Sequence, residues 1–214
     1  MARGRFITLE GGEGAGKSTQ MLRLANHLGD RGIDVVKTRE PGGSPGAEAI
    51  RALLVIGDHD RWDPRTETLL HFAARADHIA RTIEPALETG RWVVCDRFVD
   101  STVAYQGFGQ GVDRAFIEAL TSTVLGDLRP DLTLLLDLPV EIGLARAAKR
   151  HGNDENRYET MDRAFHERLR LGFHEMAAAE PARFAVIDAN ADADTVQQRI
   201  ETVVESRLFS AVSR

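Results

Sequence analysis

Lys17 and Ser18 close the run Gly11-Gly12-Glu13-Gly14-Ala15-Gly16-Lys17-Ser18, a complete G-x-x-x-x-G-K-S phosphate loop with Thr19 directly after it. These residue types at this spacing are suited to holding a polyphosphate. Glycines let backbone N–H groups turn inward around phosphate oxygens, and the start of a following helix adds its positive dipole end. The Lys17 ammonium can reach the β- and γ-phosphates, and the Ser18 hydroxyl can ligate Mg²⁺. The chemistry requires a strand before the loop and a helix after it. Arg5-Phe6-Ile7-Thr8-Leu9 supplies an apolar, partly β-branched run before it, and Met21, Leu22, Leu24, Ala25 and Leu28 fall at helical spacing after it. Residues Gly11 to Thr19 are therefore the expected nucleoside triphosphate site.

The elements that must carry this loop alternate along the chain. Candidate strands are Arg5–Leu9, Asp34–Thr38, Trp92–Asp96, Leu132–Leu138 and Phe184–Asp188. Between and after them run helical patterns at Lys17–Gly29, Gly46–Ile56, Arg65–Glu88, Arg114–Leu125, Val140–Arg150, Asp162–Glu180 and Thr195–Phe209. Apolar strands separated by helices predict a three-layer α/β fold of the phosphate-loop NTPase type, with a central parallel five-stranded sheet flanked by helices. At 214 residues the chain fits one such domain.

Ligands of open parallel sheets gather beyond the carboxyl ends of the strands. That rule brings Arg39-Glu40-Pro41-Gly42-Gly43, Asp96-Arg97-Phe98 and Asp188-Ala189-Asn190 to the phosphate loop. Asp96 ends an apolar strand, as an acid that orders Mg²⁺ or its waters does, and Arg97 is suited to a bidentate grip on phosphate. Taken alone, Arg39 to Gly43 reads as a surface turn with solvated charges.

Composition narrows the classes. A formal net charge of −6 and a pI near 5.7 argue against a sequence-independent nucleic-acid binder. No apolar run approaches the roughly 18 residues of a membrane span, and the N-terminus shows no signal-peptide core. A cytoplasmic protein is expected. The lone cysteine, Cys95, lies inside an apolar strand and reads as a buried small hydrophobe. His27, His59, His78, His151, His166 and His174 show no metal-ligand spacing and read as structural or surface residues.

Taken with the loop, Thr38-Arg39-Glu40-Pro41-Gly42-Gly43, Phe72-Ala73-Ala74-Arg75, Asp96-Arg97-Phe98 through Tyr105-Gln106-Gly107, and Gly126-Asp127-Leu128-Arg129-Pro130 give the chain a likeness over nearly its whole length. It resembles the bacterial thymidylate kinases, phosphate-loop nucleoside monophosphate kinases that phosphorylate dTMP with ATP. The resemblance implies Arg97 at the acceptor monophosphate, Arg75 at a thymine carbonyl, and Thr102, with Ser101 behind it, at the base edge. Tyr105 would pack where a ribose 2′-hydroxyl projects, and Gln106 would support base or sugar. Glu13 would approach the deoxyribose 3′-hydroxyl, while Glu40 and Pro41 line the pocket; Arg39 and Arg51 complete the acceptor set. A homodimer is implied as well, for which the helices between Ala47 and Leu87 offer apolar faces.

Two features qualify the likeness. Many relatives carry a stacking phenylalanine four residues before the base-reading arginine, where this chain has His71, with Phe72 next to it. Their side chains point about 100° apart on a helix, and which ring meets the base stays open. The phosphate loop also lacks the arginine that some relatives carry there. Leu144 to Glu159 instead holds Arg146, Lys149, Arg150 and Arg157 around a polar turn, which resembles a lid that supplies the catalytic arginine. Arg146 and Arg150 lie four apart on one helical face and are favoured, with Lys149 and Arg157 behind them. Besides a dTMP kinase using Mg²⁺ and ATP, two other functions remain open on these residues. One is a different nucleotide or deoxynucleoside kinase, with Glu13 as the nearest base; the other is an ATPase switch that partners a protein.

Overall fold

A computed structural model describes residues 2–57, 60–149 and 157–209. Among them five strands form one parallel sheet in the order β2-β3-β1-β4-β5. These are β1 (Phe6–Glu10), β2 (Val35–Arg39), β3 (Trp92–Asp96), β4 (Leu132–Asp137) and β5 (Phe184–Asp188). The expected parallel α/β architecture is present, with strand ends shifted by a residue at β1, β2 and β4.

Side-chain alternation divides each strand between two cores. Ile7, Leu9, Val94, Leu132, Leu134 and Leu136 pack in one cluster with Leu24 and Leu28 of α1 (Lys17–Asp30) and with Val196, Ile200 and Val204 of α9 (Ala193–Val204). Phe6, Val93 and Cys95 face the opposite cluster. There they meet Phe72 of α3 (Pro64–His78), Ala86 and Leu87 of α4 (Glu84–Glu88) and Ile117 and Leu125 of α6 (Arg114–Leu125). A third cluster joins Leu135 to Phe165, Leu169 and Phe173 of α8 (Arg163–Ala179). The sheet is therefore covered on both faces, as its continuous apolar strands require.

Three local departures from the sequence expectation have physical causes. The helix expected over residues 65–88 is interrupted by a π-helical turn, Ile79–Ile83, just before Pro85. Proline lacks an N–H and its ring crowds the carbonyl four residues back, so regular α-helix cannot run through it unaltered. Residues 99–109, to which no element was assigned, form α5 (Val99–Thr102) and a π-helical stretch, Val103–Gly109. Its glycines are close-packing positions: a Cβ on Gly109 would meet the Phe165 ring at 2.4 Å. Finally, α7 (Val140–Ala148) ends two residues before the expected Arg150.

Every strand ends in a charged residue at the same edge: Glu10, Arg39, Asp96, Asp137 and Asp188. Register aligns Arg39 with Asp96 and Asp96 with Leu9, so these ends are level across the sheet. α2 (Pro45–Val55) follows the β2 turn at this edge and packs against α3.

Candidate active site

The phosphate loop turns from β1 into α1 at the centre of that edge. α1 begins at Gly16 with no side-chain cap and no acid in its first turn, so its amino end is left for an anion. The loop is pressed against α7. A Cβ on Gly14 would lie 2.0 Å from the Gly143 carbonyl oxygen, and one on Gly143 would lie 2.4 Å from that of Glu13. Only paired glycines allow this backbone approach.

A cavity of about 430 Å³ opens over the loop. Its wall contains Glu13, Gly14, Gly16, Lys17, Ser18 and Thr19 from the loop and Arg39, Glu40 and Pro41 after β2. Arg51 and Val55 of α2 contribute, as do His71 and Arg75 of α3. Asp96, Arg97 and Phe98 follow from β3, then Ser101, Thr102, Tyr105 and Gln106 from the helix after it. Arg146, Tyr158 and Glu159 complete it. Nearly all the residues singled out from sequence thus share one cavity. Gly11, Gly12 and Ala15 do not line it, because they form the loop's back, and Gly11 and Gly12 instead accept hydrogen bonds from Lys17 Nζ at 3.1 and 2.7 Å.

At the phosphate end, Ser18 Oγ donates to Asp96 Oδ2 at 2.5 Å. A hydroxyl and a carboxylate so close make a hard oxygen pair suited to Mg²⁺, which takes one or two protein ligands and fills its octahedron with phosphates and water. Among the described residues no group of three or more His, Cys, Asp or Glu could hold a metal alone. Burial and the neighbouring Arg97 push the Lys17 ammonium down to about 8. Arg97 has φ of 69°, a left-handed backbone unusual outside glycine and characteristic of functional turns. Its guanidinium donates to the Gly11 carbonyl at 3.1 Å, Ser101 Oγ at 3.2 Å and Glu13 Oε1 at 2.9 Å. Tyr105 Oη also donates to Glu13 Oε1, at 2.6 Å.

The turn that carries Arg97 is held from below by Glu10. Its buried carboxyl accepts from the Phe98 N–H at 2.8 Å and from Ser101 Oγ at 2.6 Å. Burial, reinforced by nearby Asp100, pushes Glu10 up to about 8. Asp100 is itself paired with Arg183 at 2.6 Å.

At the other end, Arg75 is almost fully buried. Nε donates to Glu40 Oε2 at 2.7 Å, and Nη2 to the Phe98 carbonyl and Thr102 Oγ1 at 3.2 and 3.0 Å. Nη1 has no hydrogen-bond partner among the described residues. Glu40 Oε1 lies 3.0 Å from His78 Nδ1, and His78 Nε2 lies 2.7 Å from Thr38 Oγ1, a chain that orients the guanidinium. Gln106 Oε1 is likewise buried without a partner among the described residues. Arg75 and Gln106 both line the cavity, and each keeps one buried polar atom, a donor and an acceptor, that no described residue satisfies.

Several expectations need correction. Phe72 does not line the cavity; it lies in the core at 2% exposure, and His71 is the ring on the wall. Helical geometry decides this, because position 71 shares a face with Arg75 four residues on. Arg157 is no lid cation: its side chain is 1% exposed and paired with Glu67 at 2.5 Å. Arg146 lines the rim and donates to the Ala189 carbonyl at 3.3 Å. Lys149 is exposed at the end of α7, and Arg150 lies outside the described residues. Sequence reasoning missed Glu10, Glu67, His78 and Tyr158. A signal for two of them was present, since Glu67 and His78 fall on one helical face with His71 and Arg75, at i, i+11 and i+4, i+8.

A phosphate loop at the centre of a 2-3-1-4-5 parallel sheet, facing an arginine-rich second pocket in the same cavity, defines a phosphate-loop kinase of small molecules. Comparison with known proteins gives the family. The thymidylate kinase family model matches residues 9–200. A thymidylate kinase of Caulobacter vibrioides is 58% identical over 97% of this chain and 99% of its own. One of Afipia carboxidovorans is 56% identical over 98% and 92%. A crystal structure of thymidylate kinase from Ehrlichia chaffeensis superposes with a TM-score of 0.78 at 34% identity, covering 94% of this chain and 99% of that one. The chain belongs to the thymidylate kinase family.

Proposed function

We infer that the chain, as one kinase domain over residues 1–214 with a lid segment at 144–159, transfers the γ-phosphoryl group of ATP to the 5′-phosphate of dTMP. The observation that carries this assignment of ends is the buried, unpartnered Nη1 of Arg75, in the same cavity as Lys17 and Arg97. A buried donor without an acceptor costs about 1–3 kcal/mol, so it is retained where a ligand supplies the acceptor. A pyrimidine with a ring carbonyl next to a ring N–H supplies an acceptor for Arg75 and a donor for Gln106 Oε1. A cytosine edge reverses that pattern.

With the base there, the acceptor phosphate extends toward Arg97, and ATP lies with its phosphates along the loop. An oxygen of the dTMP phosphate attacks the γ-phosphorus, the new P–O bond forms, and the bond to the β-bridging oxygen breaks, giving dTDP and ADP. The acceptor is already ionised, so no general base is needed. Lys17 and Arg97 neutralise charge at the transferring group, with Arg146 and Arg150 as the lid cations. Ser18 and Asp96 would hold Mg²⁺, which when bound neutralises and orients the ATP phosphates. Tyr105, held by Glu13, crowds the sugar and favours deoxyribose. We further infer a cytoplasmic homodimer, its contact supported by the exposed Leu53 of α2 and Leu69 of α3.

The test is nucleotide-dependent turnover. ADP release from ATP and Mg²⁺ should require dTMP and yield dTDP, with dCMP a poor acceptor. Equal ADP release without any monophosphate would identify an ATPase, and turnover with thymidine but not dTMP a nucleoside kinase.

A further inference from the structure

His71, Tyr158 and Glu67 form a chain of hydrogen bonds at the acceptor end of the cavity, running from two half-buried rings to a fully buried carboxylate. Tyr158 Oη lies 3.0 Å from His71 Nε2, 2.9 Å from Glu67 Oε1 and 3.4 Å from Gln106 Nε2. Glu67 is fully buried and ion-paired through Oε2 with Arg157. Its Oε1 also receives the amides of Gln106 and Gln110, at 2.8 and 2.9 Å.

The donors and acceptors can be assigned by elimination. A carboxylate oxygen only accepts, so the single phenolic proton of Tyr158 goes to Glu67. The Gln106 amide only donates, so it gives its hydrogen to Tyr158 Oη. What Oη has left for His71 is a lone pair. His71 Nε2 must then carry a ring hydrogen, and in the neutral ring Nδ1 is therefore bare.

We propose that Tyr158, anchored on Glu67, fixes His71 as its Nε2–H tautomer and holds that ring as the wall beside Arg75 against which the acceptor base packs. Tyr158 is thereby a positioning residue for acceptor binding that acts through His71. The proposal rests on the dTMP reading of this end of the cavity. Its physical motive lies in the imidazole itself: an apolar ring at this position needs no tether, whereas an imidazole N–H turned into the protein without a partner is costly. The charged groups around the ring are Arg51 from α2, Arg75 and Glu67 from α3, Arg97 from the β3 turn, and Arg157. Burial and the four arginines push His71 down to about 3, so the ring is neutral throughout the working range. The Tyr158 phenol is pushed up by burial and Glu67 and keeps its proton.

Two measurements test this, the first without substrate. Nitrogen NMR of the ligand-free protein labelled at histidine should show His71 as the neutral Nε2–H tautomer from pH 6 to 8, a result independent of what the enzyme phosphorylates. A protonated ring or the Nδ1–H tautomer would overturn the proposal. The second is a double-mutant cycle. Tyr158→Phe should raise the dTMP KM about fivefold, with kcat within about twofold and the ATP KM unmoved. In a His71→Phe background the same change should add almost nothing, because the tether then has nothing to hold. An equal KM penalty in both backgrounds, or none in the parent, would overturn the positioning role. Loss of dTMP-dependent turnover in the parent itself would sink the dTMP reading, and the NMR result would still judge the tether.

Discussion

Arg75 has two tasks that an alanine substitution cannot separate. Its Nε neutralises Glu40, which is 4% exposed, while Nη1 is buried without a partner among the described residues. Arg75→Ala would strand a buried carboxylate, and breaking such a pair from one side costs about 3–5 kcal/mol. Arg75→Lys keeps a cation for Glu40 and removes the planar fork. In steady-state assays Arg75→Lys should raise the dTMP KM about tenfold or more, the worth of a hydrogen bond from a charged donor, and leave the ATP KM near parental. Urea midpoints should fall far more for Arg75→Ala than for Arg75→Lys. A parental dTMP KM in Arg75→Lys would refute the base contact. Lys17 makes a second prediction at this scale. With its free-state value near 8, about half of it is uncharged at pH 8, and bound phosphates favour the charged form. ATP binding at pH 8 should therefore take up about half a proton, and binding at pH 6 none through this group. Calorimetry in buffers of different ionisation enthalpy reads that uptake, and Lys17→Met should abolish it.

At the scale of elements, much was legible because local pattern and ligand chemistry coincided. The phosphate loop announces itself through residue types that serve one purpose, and the five strands through continuous apolar runs. The helix over residues 99–109 carries Gly107 and Gly109, poor helix formers whose place is set by packing rather than by local pattern, Gly109 being there to admit Phe165. Arg157 was misread for a related reason. Sequence shows a cation after a polar turn, but burial against Glu67 is decided by α3, some ninety residues earlier. The choice between His71 and Phe72 needed the helix phase, which spacing gives only to within a residue or so. One contact between elements was not legible at all. The Gly14–Gly143 approach places the phosphate loop directly on α7, the helix that bears Arg146, so loop and rim arginine share one rigid support. Gly143→Ala should force the two backbones apart by more than a side-chain adjustment can absorb. We expect kcat to fall about tenfold or more, since a displaced catalytic group costs transition-state stabilisation, with the dTMP Kd little changed. Parental kcat in a folded Gly143→Ala protein would show that the contact does not position Arg146.

For the whole molecule, the central buried acid sets a dependence of stability on pH. Glu10 ends the middle strand, is 0% exposed, and meets the turn of β3 through Phe98 N–H and Ser101 Oγ. Its neighbour Asp100 is occupied by Arg183, which also bonds Thr133 of β4 at 2.9 Å, so the network spans three strands. Burial, then Asp100, raise Glu10 from an ordinary 4.5 to about 8 in the folded chain. A group raised on folding binds its proton more tightly in the native state. Its favourable contribution is complete below pH 4.5, erodes as pH rises between the two values, and is gone above about pH 8. The unfolded chain loses this proton first, so each step upward in pH through that window favours unfolding. Glu10→Gln removes the titration while keeping an oxygen to accept the Phe98 N–H and an amide to meet Ser101. Urea midpoints of the parent should decline from pH 5.5 to 8.5, and those of Glu10→Gln should decline less, the two curves converging or crossing toward alkaline pH. Because the same carboxyl props the Arg97 turn, a steepening dTMP KM over that window should also be shallower in the variant. Parallel stability curves for the two proteins would mean that Glu10 is ionised in the native state across the whole range, and the turn would then be held by a charged acid whose burial Arg97 and Arg183 offset.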